Sequence, residues 1–281
     1  MSCQTTRCKP DLLQAGEGGI WPLLELRHLP RARRESEQLV QSRVTFRWVR
    51  TALADPVLHS VHGSIMNVTE VPGAVPLYQI DGFLTPEECA ALRRRADAVV
   101  DHADGSLAWH VCRNAAYDRV VMVDADLANE LWERVRKVLP LKYGGYHLLY
   151  LNRFFRFSRY EEGGLFPLHL DGKNDDVHPS GVETSSYFTL NIFLNGEEEF
   201  KGGATDFFNK MHGHQLPRFQ VAPKMGRAAL FWAAQPHRGN RVTQGRKYLL
   251  RTDVMGILHP TKAQLQRISS GSAVPGAGRE G

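Results

Sequence analysis

The chain has 281 residues, a net charge of +5 and four cysteines. That length accommodates one large domain with an extension, and the charge is too small to indicate a nucleic-acid-binding protein by itself. Four cysteines without a recognisable metal spacing do not form a disulfide framework. No apolar stretch approaches the length of a membrane span, and the N-terminus lacks the apolar core of a signal peptide. We therefore expect a cytoplasmic protein, with nuclear or organelle targeting left open.

The first part of the chain, residues 1–74, is expected to be an extension that is partly helical or disordered. It contains a basic cluster, Arg31–Arg34, followed by a mixed polar run. Acidic residues are interleaved with the basic ones, which favours a solvated helix face over a nucleic-acid surface.

Two helices are predicted next. Thr85–Glu88 has the features of a helix start, namely a capping threonine, a proline in the first helical position and a glutamate that completes a capping box. This helix is expected to run to about Val100. A second helix, Ala125–Leu139, has apolar residues at helical spacing and is expected to stop at Pro140. Both helices should pack against one sheet of the following domain.

A β-rich region follows. From Leu148 to Ile257 there are about eight short strand-like runs separated by Gly, Pro, Asn or Asp, and none has a long helical period. Four of these runs matter for the argument: Leu148–Phe157, Leu165–Asp171, Ala228–Trp232 and Lys247–Ile257. The fold class is therefore mainly β with accompanying helices.

Three residues in this region have the chemistry of a metal site. His169 and Asp171 are two residues apart, so on a strand both side chains would point to the same face. His237 follows another apolar strand and could complete the set. Two imidazoles and one carboxylate are the ligands of the facial triad, which holds Fe(II) and leaves other coordination positions open.

A basic residue on the strand after His237 could bind an anion beside the metal. Lys247 lies ten residues beyond His237, and on a strand Lys247 would share a face with Arg251. A lysine buried beside the metal would need an anionic partner, which a dicarboxylate cosubstrate could supply. Lys247 is favoured by spacing, and Arg251 is the alternative. Tyr160, nine residues before His169, could reach the same pocket from the neighbouring strand.

Taken together, these residues resemble a known family. The stretch from about Val75 to Ile257 is similar to Fe(II)/2-oxoglutarate-dependent dioxygenases, and within that superfamily to the prolyl 4-hydroxylase-like group. The segments that carry the resemblance are Asn152–Tyr160, His169–Gly172, Gly202–Thr205, Val221–Gly226 and His237–Lys247.

The resemblance implies a double-stranded β-helix, a jelly-roll barrel, with packing helices on its N-terminal side. It also implies that His169, Asp171 and His237 hold Fe(II), and that 2-oxoglutarate and O2 are consumed. The far carboxylate of 2-oxoglutarate would pair with Lys247, helped by the Tyr160 hydroxyl. Hydroxylation of a substrate C–H bond would accompany release of succinate and CO2, with ascorbate as a possible reductant.

The substrate stays open at this stage. A prolyl or other protein side chain and a small molecule are both compatible with the resemblance, and the loop Gly172–Glu183 is placed to line the entrance. Oxidative demethylation of alkylated nucleic acid is a second hypothesis, which the Lys247 spacing disfavours, so no nucleic-acid partner is expected. A non-catalytic binding protein is a third, and the intact candidate ligands argue against it. The oligomeric state is unreadable.

The domain boundaries follow from these segments. The extension ends near residue 74, the dioxygenase domain is expected to span residues 75–258, and residues 259–281 form a tail. The tail ends in Ser-, Gly- and Ala-rich sequence without apolar periodicity, so we expect disorder there.

Overall fold

The structure, a computed structural model, describes residues 66–71, 76–98, 109–112, 117–211 and 216–270. All of them belong to the compact unit Ala52–Gly281, and the unit Met1–Thr51 lies outside the described residues. The expectations for the basic cluster in the extension therefore fall outside the described residues too.

The described part contains three helices, α1 (Pro86–Asp97), α2 (Ala125–Val135) and α3 (Lys262–Ser269). The strands are β1 (Asn67–Val71), β2 (Leu77–Asp81), β3 (His110–Cys112), β4 (Tyr117–Val123), β5 (Lys142–Tyr143), β6 (Tyr146–Leu151), β7 (Phe154–Tyr160), β8 (Phe166–His169), β9 (Asp175–Val177), β10 (Glu183–Phe193), β11 (Phe200–Gly202), β12 (Thr205–Phe207), β13 (Phe219–Val221), β14 (Ala228–Trp232), β15 (His237–Gly239), β16 (Val242–Gly245) and β17 (Lys247–Leu258).

Most strands of the described part form two antiparallel sheets. The large sheet has eleven strands, with the main order β1-β2-β14-β10-β17-β7-β4-β3, and the small sheet has the order β13-β12-β15-β8. Strands β11 and β16 form a separate pair. Two antiparallel sheets with strands that alternate between them are the jelly-roll arrangement, so the predicted fold class is confirmed.

One hydrophobic core joins the two sheets. Phe207 on β12 packs edge-on against Phe231 on β14, with ring centroids 4.9 Å apart, and Phe193 and Val221 are fully buried in the same cluster. Successive side chains of a strand point to opposite faces. The residues of β17 that face this inner side, beginning with Lys247, therefore point toward the small sheet.

The other face of the large sheet is covered by helices. Leu92 of α1 and Leu131 of α2 are fully buried in one cluster with Leu190 and Leu250 of the sheet. The Thr85 capping box of α1 is present as predicted. Helix α2 ends at Val135 instead of Leu139, because the N–H groups of Lys137 and Val138 bond to carbonyls three residues back, as in tight turns.

The predicted strand Leu148–Phe157 is two strands, β6 and β7. Asn152 separates them, because its side-chain oxygen accepts a hydrogen bond from Phe154 N at 3.0 Å in place of a ladder partner. Both pieces still pair with β17. The expected count of about eight strands is too low, since the segment holds twelve and five of them have only three residues.

The sheet extends beyond the predicted domain limits. Strand β1 precedes residue 75 and pairs with β2 along its whole length. The expected disorder after residue 259 does not hold for Lys262–Ser269, which form α3 behind a capping box of Thr261 and Gln264. Among the described residues there is no helix that is long and apolar enough to cross a membrane.

Candidate metal centre and its pocket

The two candidate histidines lie next to each other on the small sheet. His169 ends β8, His237 begins β15, and the two residues are register partners with ring centroids 4.1 Å apart. The predicted strand to Asp171 ends at His169 in the structure. Asp171 nevertheless remains anchored, since its N–H donates to the carbonyl of Ala233 at 2.9 Å.

Both imidazoles are held in the same tautomer by the backbone. His169 Nδ1 lies 2.8 Å from the carbonyl oxygen of Pro167, and His237 Nδ1 lies 2.9 Å from that of Gln235. A carbonyl oxygen can only accept, so each Nδ1 carries the proton and donates it. The lone pair of each Nε2 is therefore free for a metal, in the arrangement common to metal-binding histidines.

The Asp171 carboxylate is buried and remains ionised. Thr189 Oγ1 donates to Oδ2 at 2.6 Å, and an Arg251 nitrogen lies 3.2 Å from Oδ1. Burial alone would raise the pKa of Asp171, but the charge of Arg251 and the hydrogen bonds bring that pKa below its ordinary value. The group thus offers a negative oxygen ligand at every pH near neutrality.

The three side chains converge on one point. His169 Nε2 is 3.6 Å from Asp171 Oδ1, and His237 Nε2 is 3.8 Å from Asp171 Oδ2. One ligand atom from each residue lies within 4.8 Å of the others. Burial lowers the pKa of His237 to about 4, so this imidazole is neutral, as a ligand must be. Two imidazole nitrogens and a carboxylate oxygen fit a divalent iron centre.

A pocket opens beside these three residues. It has a volume of ≈ 470 Å³ including its open mouth. The large sheet supplies most of its wall and the small sheet supplies the rest. Its lining residues are Arg119, Ser158, Tyr160, Phe166, His169, Asp171, Asn191, Thr205, His237, Gly239, Lys247, Leu249 and Arg251. The sequence-predicted residues Tyr160, Lys247 and Arg251 therefore all reach the pocket.

Lys247 is a buried cation in this pocket. Its side chain is 2% exposed, and its Nζ donates to the carbonyl of Gly203 at 2.6 Å. Within the described part of the chain, no carboxylate lies within ion-pair distance of this Nζ. The rings of Tyr160 and Phe193 lie 5.1 and 5.2 Å from it. Burial lowers the pKa of Lys247 to about 7.

Arg251 is engaged differently, since it lies 3.2 Å from Asp171 and 3.1 Å from Asp253. Asp253 is fully buried. Sequence reasoning did not identify Thr189 and Asp253 as residues that contact this site. The alternation of side chains between the two faces of each strand was visible in the sequence. The partners Asp171 (of Thr189) and Arg156 (of Asp253), however, lie far away along the chain.

The predicted entrance loop Gly172–Glu183 is anchored to the large sheet. It contains β9, and Asn174 donates to Asp253 Oδ2 at 2.8 Å. Lys173 and Asp175 form an exposed ion pair with each other at 3.0 Å. The loop is thus tied to the same buried aspartate that holds Arg251.

Comparisons with known proteins show what this chain is similar to. The 2OG-Fe(II) oxygenase superfamily profile matches residues 155–252. The chain is similar to a PKHD-type hydroxylase of Stenotrophomonas maltophilia (strain R551-3), with 30% identity over 45% of this chain and 57% of that protein, which is little more than half of its length. It is 26% identical to a PKHD-type hydroxylase of Burkholderia ambifaria (strain MC40-6) over 70% of this chain and 90% of that one. A Pseudomonas putida prolyl-4-hydroxylase structure has 17% identity and a TM-score of 0.44, covering 63% of this chain and 91% of that one.

Proposed function

We propose that this chain is an Fe(II)- and 2-oxoglutarate-dependent oxygenase of the 2OG-Fe(II) oxygenase superfamily, in its prolyl 4-hydroxylase-like group, and that it hydroxylates a C–H bond. The family implies Fe(II), 2-oxoglutarate and O2. The substrate is a prolyl or other protein side chain or a small molecule, and succinate and CO2 are released.

One observation carries the proposal. A single pocket contains three converging metal-ligand atoms at one place and, at another, a buried lysine without a carboxylate partner among the described residues. A metal alone would explain the triad, but it would leave the buried ammonium of Lys247 without compensation. A ligand that binds the metal at one end and carries a carboxylate at the other accounts for both features.

His169, Asp171 and His237 would hold the iron. When bound, Fe(II) together with 2-oxoglutarate and O2 supplies the oxidising chemistry, in which the keto acid is decarboxylated and a C–H bond is hydroxylated. The chain fixes both imidazoles through their Nδ1–H bonds and keeps Asp171 ionised. It leaves the side facing the pocket free for ligands.

Lys247, in preference to Arg251, would bind the far carboxylate of 2-oxoglutarate. Arg251 is already paired with Asp171 and Asp253, whereas the polar partner of Lys247 among the described residues is the Gly203 carbonyl, with two aromatic rings nearby. A dianion there would restore the charged form of the ammonium. The Tyr160 ring centroid lies 5.1 Å from Lys247 Nζ, and we assign Tyr160 to the same subsite.

Apolar side chains form part of the pocket wall. Phe166 contacts His169 with ring centroids 4.0 Å apart, and Leu249 lines the same pocket. An apolar wall strengthens the interaction between Lys247 and a carboxylate, because it lowers the local dielectric constant.

The proposal is tested without knowledge of the substrate. Metal-free protein is mixed anaerobically with Fe(II) and then with 2-oxoglutarate, and the visible charge-transfer band of a keto acid chelated to ferrous iron is recorded. We expect the band in the wild type and its loss in His237→Ala, with His147→Ala as a histidine control on β6. A folded protein that binds Fe(II) but gives no band would contradict 2-oxoglutarate dependence.

A further inference from the structure

Three arginines lie side by side on neighbouring strands of the large sheet near the metal centre. They are Arg119 on β4, Arg156 on β7 and Arg251 on β17, and we refer to them as the arginine cluster. Arg156 and Arg251 are direct register partners. Like charges directly opposite each other destabilise a sheet, so this arrangement needs a compensating anion.

The carboxylates near the cluster do not supply enough negative charge. Asp253 is shared, since Arg156 lies 3.0 Å from it and Arg251 lies 3.1 Å from it. Asp171 also contacts Arg251, but under the proposed function its charge is taken up by the metal. No carboxylate of the described residues lies within ion-pair distance of Arg119, whose guanidinium instead lies 5.0 Å from the Tyr117 ring centroid.

Loading the pocket does not remove the imbalance. Among the residues that line the pocket, Arg119, Lys247 and Arg251 bring three positive charges, whereas Asp171 brings one negative charge. Fe(II) and 2-oxoglutarate carry equal and opposite charges, so their binding leaves the difference unchanged. An excess of two positive charges therefore faces a partly closed pocket of low dielectric constant.

Unsatisfied polar atoms point to the same place. Six buried side-chain atoms of the described residues have no hydrogen-bond partner. Three of them belong to residues that line this pocket, namely Arg119 Nε, Arg251 Nε and Asn191 Oδ1. Buried donors and acceptors without partners are costly. Two guanidinium donors next to one amide acceptor would be satisfied by a carboxylate that has a hydrogen-bond donor nearby.

We propose that the primary substrate carries a carboxylate group, which Arg119 and Arg251 bind beside the metal while Asn191 accepts a hydrogen bond from an adjacent N–H or O–H of the substrate. This inference rests on the proposed function, because the second anion is needed only if the first occupies Lys247. A guanidinium offers two parallel N–H groups to a planar carboxylate. The carboxylate belongs either to a free acid or to an acidic side chain of a peptide.

Probe molecules test the proposal in matched pairs. The full-length protein is loaded anaerobically with Fe(II) and 2-oxoglutarate, and the charge-transfer band confirms the loading. N-acetylglycine and N-acetylglycinamide are then titrated by calorimetry, as are the N-acetyl amides of aspartate and asparagine. We expect each acid to bind at least tenfold more tightly than its amide. The stronger acid identifies the source as a chain-end or a side-chain carboxylate.

Arg119→Gln is the decisive variant, because Arg119 forms no ion pair with any described residue. The substitution therefore leaves the ion pairs of Asp171 and Asp253 intact. We expect at least a tenfold weaker affinity for the preferred acid, with less than a threefold change in the 2-oxoglutarate dissociation constant. Arg119→Lys should restore part of the acid affinity. Arg136→Gln, which removes an equal charge from an exposed helix end, should leave both affinities unchanged.

Several outcomes would overturn the inference. They are equal binding of acids and amides, no binding of either acid, loss of the band because the acid displaces 2-oxoglutarate, and a tenfold loss of 2-oxoglutarate affinity in Arg119→Gln. Tighter binding of inorganic phosphate than of the acids would do the same. An absent band in the loaded wild type would instead refute the proposed function, and acid binding to the metal-free protein would then be measured separately.

Discussion

The small sheet and the large sheet contribute different kinds of group to one pocket. The small sheet brings His169 and His237, whose imidazoles are each oriented by the backbone carbonyl two residues earlier in the chain. The large sheet brings charged groups, Lys247 and the arginine cluster, whose partners lie on other strands. The orientation of the two histidines thus depends on short local contacts, and anion binding depends on the assembly of distant strands. The two functions should therefore respond separately to mutation.

The largest effect is expected on the metal side. Asp171→Ala removes the only charged ligand of the triad, so affinity for Fe(II) should fall by more than about 100-fold, beyond the loss usual for residues that merely support a ligand. Anaerobic calorimetry measures it. Asp175→Ala, which removes an exposed carboxylate from the entrance loop, is the control. Wild-type affinity in Asp171→Ala would contradict the triad.

On the large sheet, Lys247→Met should weaken the binding of 2-oxoglutarate. We expect the 2-oxoglutarate dissociation constant to rise by about 10- to 100-fold, the range for a lost hydrogen bond to a charged group, while Fe(II) affinity stays near that of the wild type. Lys201→Met removes an exposed lysine as a control. If Arg251→Gln lowers 2-oxoglutarate affinity and Lys247→Met does not, the assignment of the cation is wrong.

Thr189 connects the two sheets, since it lies on β10 and donates to Asp171. Thr189→Val keeps the shape but removes the donor, and we expect Fe(II) affinity to fall by about tenfold, at the lower end of the range for residues that orient a ligand. The control is Thr252→Val, which loses a comparable buried hydrogen bond to the Asn152 carbonyl. Thr252 points to the face of β17 opposite to that of Arg251. Equal losses of metal affinity in both variants would indicate a general effect on the fold.

The last effect is a pH dependence of the stability of the ligand-free fold. The pKa of Lys247 is about 7 in the fold and near its ordinary value of about 10.4 in the unfolded chain. Between these values the unfolded state binds more protons, so the stability of the ligand-free protein should rise with pH. The contribution is at most about 1.4 kcal/mol per pH unit. Urea unfolding at pH 7 and 9 measures it, and Lys247→Met should lack this increment. Identical pH dependences would contradict the burial of a protonatable amine.

The sequence alone predicted the parts of the site that follow from short-range spacing. His169 and Asp171 were recognisable because residues two apart share a face, and Lys247 and Arg251 because they lie on one strand. The capping box at Thr85 was equally local. Each of these features is encoded by residues only a few positions apart.

Features that depend on pairing between distant strands were not predictable. Arg156 meets Asp253 across 97 positions of the chain, and Thr189 meets Asp171 from a different sheet. Nothing in the spacing of Arg119 indicates that its strand lies beside β7. The break at Asn152 was also missed, because an apolar and aromatic run on both sides of a single polar residue has the pattern of one continuous strand.

Strand β17 carries Lys247, Arg251 and Asp253 on the same face, and this has a consequence for folding errors. A shift in pairing by one residue would turn all three toward the helices, while His169 and His237 on the small sheet would keep their places. Gly245, separated from β17 by one residue, must be glycine, since it adopts φ +75° and a Cβ there would lie 2.5 Å from the Glu199 carbonyl oxygen. Molecules misfolded by such a shift would take up iron but not 2-oxoglutarate. The molar ratio of the two bound ligands in a preparation would then give the fraction of correctly assembled molecules.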